Sequence, residues 1–538
     1  MNEDLEPSNS IVESVLTTAS ESSIDRNNLR KNAQIATDYH HSLTPSEAFK
    51  DYKEAIWWAS VMSLTIVMEG YDTSLIGNLF GFPSFQKKYG VEISPGVFEL
   101  QSHWQIALGV SPSVGVIIGI FVNGYLIETF GHRRITMFCL ILMQLFISIT
   151  FFAPNVETLF LGQLLCGLPW GLFAIIGPTY SSEVIPLALR GYMTSYTQFC
   201  WSLGQILSAI ILKLYVNNDT QWSYRIPFAL QWIFPLPLFI LTYLAPESPW
   251  WLVRHNREEE AIKSVRRLSS SSVSHMAPPM VSMIIHTHEN EISQHKKEGT
   301  EWEKYMKAFT GTNFRRTVVT SLAFSGQLLC GLPFAFSPSY FFREAGISPK
   351  KTYDLSLINA TIALAGSIAA WYPITRFGRR DIYLVGLAIL CTCLLFIGVA
   401  QPFVYEFHEL IWVQCGLIIA WMTTYSLTLG PVTYCIISEI SASSLRSTTV
   451  SIARGYFSLN QFIANAIEPI LINPTSLNLR GYTALFWFTT CFIIFIWAFF
   501  ELPETKDRTF DDIDFLFKQE TPARKFSTTE TTRLVDLD

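Results

Sequence analysis

The chain has 538 residues, of which 49% are hydrophobic, 14% aromatic and only 15% charged, with a formal net charge of -6. Soluble domains carry nearer a quarter charged residues, so this balance excludes an ordinary water-soluble protein and indicates many membrane crossings. The charge gives no hint of nucleic-acid binding, and no nucleotide loop, metal cluster or nucleophile constellation supports an enzyme or a cofactor.

The first fifty residues are polar and Ser-rich without the apolar core of a signal peptide. They read as a disordered tail, 1–52, which leaves the first membrane helix as the insertion signal. Apolar runs of about 20 residues are needed to cross a bilayer. Twelve follow, at 55–80, 104–127, 135–153, 158–180, 192–215, 226–245, 317–341, 353–374, 382–401, 408–437, 448–471 and 481–501. They divide into a bundle at 53–246, a linker at 247–316, a second bundle at 317–502 and a tail at 503–538. The expected fold is therefore an all-α membrane protein with twelve transmembrane helices in two six-helix bundles. The nine cysteines all fall in apolar stretches, which predicts buried thiols with no metal and no disulfide.

The first span contains VMEGYDTSLIG, residues 67–77. A charged carboxylate at mid-membrane costs about 2.5–3.5 kcal/mol on insertion scales. Glu69 and Asp72 stand three apart, on one helix face. Each disfavours the other's ionisation, and apolar surroundings add to this. Such a pair suits a proton carrier, loaded outside and discharged inside. Further along, Glu468 follows Arg454 on the same helix face, at a position read as a helix end near water, with a relay role as the other reading. Asn359 lies inside the eighth span, where contact between helices and contact with a ligand are both open readings.

Arginines collect in the even-numbered loops: Arg133 and Arg134, Arg190, then Arg376, Arg379 and Arg380, and Arg446. By the positive-inside rule these loops face the cytoplasm with both termini, although Lys87, Lys88, Lys350 and Lys351 run against the bias. Asn218-Asp219-Thr220 is a glycosylation sequon in the loop after the fifth span, on the outside in this topology.

The halves repeat. Ser182-Glu183 precedes Arg190 as Ser438-Glu439 precedes Arg446, at the same spacing. FGHRR at 130–134 is echoed by FGRR at 377–380, and PESP at 246–249 by PETK at 503–506. This is a duplication of six spans, suited to two bundles rocking about a site near the midplane. The duplicated charges Glu183, Arg190, Glu439, Arg446, Arg133, Arg134, Arg379 and Arg380 are expected to form a cytoplasmic gate. They would pair across the halves when the inner side is closed and part when it opens.

The segments SSEVIPLALRG, APESPWWLVR and ELPETKDRTF, with the paired FGxRR-type loops, resemble the sugar porters of the major facilitator superfamily. GLPWG at 167–171, PFALQWIFPLPL at 227–238, PESPWWLVR at 246–254 and PARKF at 522–526 resemble fungal α-glucoside permeases, the maltose-type proton symporters. The resemblance implies a plasma-membrane transporter that imports α-glucosides such as maltose with protons, by alternating access. It places the sugar porters' proton-site aspartate on Asp72, a coupling glutamate on Glu69 and their eleventh-helix counter-charge on Arg454. It places substrate-binding glutamines on Gln198, Gln205 and Gln327, and Tyr434 where bacterial relatives have a tryptophan. Trp201 and Phe334 are candidate stacking faces for the sugar.

The chain departs from the pattern in places. Gly115-Val116 stands where the α-glucoside symporters carry a further glutamate after the glycine, and Gln163 stands where the broader family has an arginine, a change the α-glucoside branch shares. Leu328 and Pro333 replace polar groups of many hexose porters, which fits a disaccharide site with a different hydroxyl pattern. Val116 leaves an uncoupled sugar facilitator as an alternative. A non-transporting sugar sensor is a third reading, against which the short tail after 502 stands. Ser, Thr and Lys in the tails, and SSSSVS in the linker, suggest regulation by a kinase or by ubiquitin.

Overall fold

The computed structural model describes residues 28–529 apart from 40–41, 299–300, 337, 345, 405, 408, 442–444, 507, 509 and 527–528. Among the described residues, twelve helical rods run where the apolar runs predicted them, several of them broken. The first is split at Leu64 into Lys53–Ser63 and Thr65–Leu79. The tenth is split at Thr428 into Leu410–Leu427 and Leu429–Ile440. Among the described residues, nine helices are long and apolar enough to cross a membrane. The first, fifth (Leu187–Tyr215) and eleventh (Arg446–Ile472) rods fall outside that set. They carry Glu69, Gln198, Gln205, Arg454 and Glu468, polar groups that a span keeps when it faces a cavity instead of lipid.

The duplication is visible in the packing. The first span lies on the fifth, the second on the fourth and the third on the sixth; the seventh lies on the eleventh, the eighth on the tenth and the ninth on the twelfth. The halves meet along two seams, second against eleventh and fifth against eighth. Within the first half the close seams need glycine. A Cβ on Gly115 would fall on the carbonyl of Leu164 and 2.8 Å from Cα of Gly167, so the second and fourth backbones touch there.

In the tail expected to be disordered, the described residues from 28 onward are folded. Residues 28–39 are helical. Pro45–Asp51 is a helix whose Thr44 and Glu47 close a capping box. Its signature, Thr-Pro-x-Glu, was present in the sequence and outweighs the polar composition. Ala36, Ala48 and Tyr52 are buried in one cluster with Met280, Val281 and Ile284 of the linker. Residues 1–27 lie outside the described part. The linker itself is helical at Pro249–Arg254, Glu258–Leu268 and Ala277–Glu298. The middle helix begins with three glutamates and ends with Arg266 and Arg267, in accord with the helix dipole.

Candidate functional site

A cavity of about 350 Å³ lies between the halves, within the usual range for small-molecule sites. Six predicted residues line it together: Glu69, Gln198, Gln205, Gln327, Tyr434 and Arg454. Glu69 is only 7% exposed, and its Oε2 has no hydrogen-bond partner. Arg454 is the charged group that acts on it, and the Tyr434 phenol feels both charges. Tyr434 meets Phe324 edge-on at 5.7 Å, and Phe324 stacks on Phe457 at 4.6 Å. These rings form an aromatic wall suited to the C–H faces of a sugar. Trp201 and Phe334 also line the cavity, as does Val116.

Gln327 is held in place. Its Nε2 donates to the carbonyl of Gly430 at 2.7 Å, just past the break in the tenth span. That fixes the amide and leaves its oxygen as an oriented acceptor for a hydroxyl. Asn359 donates to the carbonyl of Ala335 at 3.4 Å and does not line the cavity, so it joins the eighth span to the seventh.

Asp72 departs from the expectation of a shared carboxylate pair. It is 1% exposed and does not line the cavity. Its Oδ1 accepts from Gln231 Nε2 of the sixth span, and the Gln163 amide lies beside it. Residues three apart on a helix point about 60° apart. The first span is packed on several sides, so this rotation sends Glu69 to the cavity and Asp72 into the first bundle.

Sequence reasoning missed part of the site. Gln105, Gln461 and Asn465 line the cavity. So does Glu468, which is not at a wet helix end: Trp487 Nε1 donates to its Oε2 at 2.6 Å and its Oε1 is buried without a partner. The signal was in the eleventh span. Arg454, Ser458, Gln461, Asn465 and Glu468 recur at alternating spacings of four and three, a polar stripe down one helix face.

The cavity is sealed at the end remote from the termini. There Tyr340 donates to Glu99 at 2.9 Å, Ser339 to Asn78 at 2.5 Å and Tyr353 to the Asn78 carbonyl at 2.6 Å. Asn473 donates to the Leu100 carbonyl at 2.9 Å, and Lys213 pairs with Asp354 at 2.7 Å. All five join one half to the other.

At the termini end, none of the described gate charges pairs across the halves in this conformation. Glu183 takes the hydroxyl of Ser248, with Arg254 at 3.5 Å and His132 at 3.8 Å, all in the first half or its linker. Glu439 takes Arg379 at 3.1 Å and Thr505 at 2.5 Å, all in the second. Glu247 caps the third span through the N–H groups of His132 and Arg133, and Glu504 caps the ninth through those of Arg379 and Arg380. Burial raises the Glu247 carboxyl above its ordinary range, with His132 and the capping N–H groups opposing. Arg133 lies over the Tyr243 ring, and Arg380 donates to the carbonyl of Phe499 at 2.8 Å. The side chains of Arg190 and Arg446 fall outside the described residues. In this conformation each PES/PET turn folds back onto its own half and satisfies the carboxylates there. With the far end sealed and Arg454 and Tyr434 exposed, the cavity opens toward the termini.

Glu439→Gln removes the charge that Arg379 pairs with and leaves one oxygen where Arg379 and Thr505 each had their own. It should lower thermal stability by about 1–3 kcal/mol. A thiol-reactive dye is a direct probe, because every cysteine except the part-buried Cys435 is buried until the bundles unfold. An unchanged melting curve would show that the cluster contributes nothing to stability.

The family model described as sugar (and other) transporter matches residues 58–517. A general alpha-glucoside permease of Saccharomyces cerevisiae (strain ATCC 204508 / S288c) is 36% identical over 511 residues, spanning 95% of this chain and 82% of the relative. Maltose permease MAL61 of Saccharomyces cerevisiae is 34% identical over 506 residues, spanning 93% and 81%. The partially occluded inward-open xylose transporter XylE from E. coli superposes with a TM-score of 0.68 at 19% identity, covering 85% of this chain and 100% of that one. The proton:xylose symporter XylE bound to 6-bromo-6-deoxy-D-glucose gives 0.66 at 20% identity, covering 87% and 100%. These likenesses show the major facilitator fold.

Proposed function

We propose that this chain, which belongs to the sugar (and other) transporter family, carries α-glucosides such as maltose into the cell with protons by alternating access. The relatives named above, alpha-glucoside and maltose permeases, support the substrate class. One observation carries the mechanism: Glu69 and Arg454 line the same cavity as Gln198, Gln205, Gln327 and Tyr434. A proton on Glu69 weakens its attraction to Arg454, and a sugar in the cavity contacts groups from both halves. Proton and sugar therefore bias the same rearrangement.

Alternating access follows from the two ends. The bundles at 53–246 and 317–502, linked through 247–316, rock about the cavity. The termini end, with Arg133, Arg134, Arg379 and Arg380, is the cytoplasmic one by the positive-inside rule, so this conformation faces inward. In the opposite state the duplicated charge clusters come together across the halves. The membrane is the plasma membrane, and Asn218, exposed in a far-side loop, is the glycosylation site; treatment with an endoglycosidase should shift its mobility. Regulation at the tails by a kinase or ubiquitin ligase belongs to the same reading, and unchanged surface lifetime after replacing the tail Ser, Thr and Lys residues would count against it.

An uncoupled facilitator is the second reading. It is favoured by Val116, which puts an apolar side chain in the cavity at the aligned symporter glutamate, and by Asp72, which faces away. Labelled maltose uptake in cells lacking their own α-glucoside transport separates the two. Symport predicts accumulation that collapses with a protonophore. A facilitator predicts equilibration that the protonophore leaves alone. No uptake by protein shown to reach the surface would overturn both.

A further inference from the structure

Outside the transport cavity, a hollow of about 320 Å³ opens at the termini end, where the third span and the end of the sixth meet the first two linker helices. Its lining holds five cations, Arg133, Arg134, Arg257, Lys263 and Arg267, against two carboxylates. Both carboxylates are engaged. Glu260 holds Arg257 at 2.6 Å. Glu247 takes the N–H groups of His132 at 3.0 Å and Arg133 at 3.2 Å. Arg267 donates to the carbonyl of Leu244 at 2.6 Å. Among the described residues, Arg134 and Lys263 have no carboxylate at ion-pair distance. Nε of Arg133 is buried with no hydrogen-bond partner.

The second half fills the matching corner with its own chain. Arg380 donates to the carbonyl of Phe499 at 2.8 Å, and Arg524 of the tail lies over the rings of Phe499 and Phe500 at 4.1 and 4.7 Å. The first half leaves a surplus of positive charge facing an open hollow. Beside it, Phe138, Ile141 and Tyr243 are exposed on the outer surface, as side chains facing lipid are. The hollow therefore sits where the apolar belt gives way to headgroups.

The geometry points to a binding site for a phosphate group at this corner, of the kind an anionic lipid headgroup presents. Guanidinium forks match phosphate oxygens, and basic pockets at the cytoplasmic ends of spans suit such headgroups. Free phosphate shares the chemistry, so the test must separate the two.

The full chain, purified in neutral detergent, is melted against dioctanoyl phosphatidylinositol 4-phosphate, dioctanoyl phosphatidylcholine and inorganic phosphate. A ligand of the folded state raises the melting temperature in a saturable way. We expect that rise with the phosphoinositide and not with phosphatidylcholine. The same rise with inorganic phosphate assigns the site to free phosphate; a rise confined to the phosphoinositide assigns it to lipid. No rise with either, or an equal rise with phosphatidylcholine, overturns the proposal. Lys263→Gln with Arg267→Gln should weaken the apparent affinity about 25-fold, about fivefold per cation. Glu260→Gln, which removes a competing carboxylate, should tighten it about fivefold, and carries the test if the double variant does not fold. Unchanged titrations in these variants would place the ligand elsewhere and refute the assignment.

Discussion

Glu69→Gln should abolish accumulation of maltose while leaving its downhill exchange across the membrane. Glu69 is a buried carboxylate at the cavity wall with an unpartnered oxygen, acted on by Arg454 of the opposite half. Glutamine keeps the shape and hydrogen-bonding capacity but holds no exchangeable charge, so the rearrangement loses its dependence on protons. One proton moving down 100 mV supplies about 2.3 kcal/mol, and tenfold corresponds to about 1.4 kcal/mol. Accumulation should therefore fall from about 40-fold to none. Uptake of labelled sugar into energised cells measures the first quantity, and counterflow in de-energised vesicles measures the second. Retained accumulation would remove Glu69 from the coupling set.

Gln327→Ala should act on the sugar and not on the proton. The wild-type amide is clamped by the Gly430 carbonyl at 2.7 Å, so its oxygen is aimed before the sugar arrives. Truncation leaves a sugar hydroxyl without that partner inside the cavity, a loss of about 1–3 kcal/mol. The half-saturating maltose concentration should rise about 10- to 100-fold, with the proton-to-sugar ratio unchanged. A fall in that ratio at saturating maltose would show that Gln327 belongs to the coupling machinery instead.

Much of this was legible in the sequence because bilayers impose simple rules. Each apolar run became a rod, and the duplicated PES/PET segments became matching corners of two bundles. The six residues that line one cavity came from five different spans, brought together by the order of the repeat. What escaped was rotational or local. Glu69 and Asp72 share a helix face in projection, yet neighbours on two sides divide them. The gate charges were expected to meet across the halves only when the inner side is closed; in this conformation, open at that end, each turn holds the described carboxylates within its own half, a local contact that no motif spelled out. Gln461, Asn465 and Glu468 were visible as a stripe once spacing, and not motif, is followed. The capping box at Thr44–Glu47 was hidden by the polar composition around it.

Asp72 sharpens the central claim, because it lies behind the cavity wall against Gln231 and Gln163. A coupling role requires that its proton reach the cavity when the bundles rock. The most direct measurement is maltose-induced proton uptake, recorded as external pH together with intracellular sugar, in cells without their own α-glucoside transport, for the wild-type chain and for Asp72→Asn. The account predicts alkalinisation with accumulation in the wild type, both lost in the variant. Sugar entry with no pH change in the wild type would contradict it, leaving a facilitator whose buried acids serve the fold.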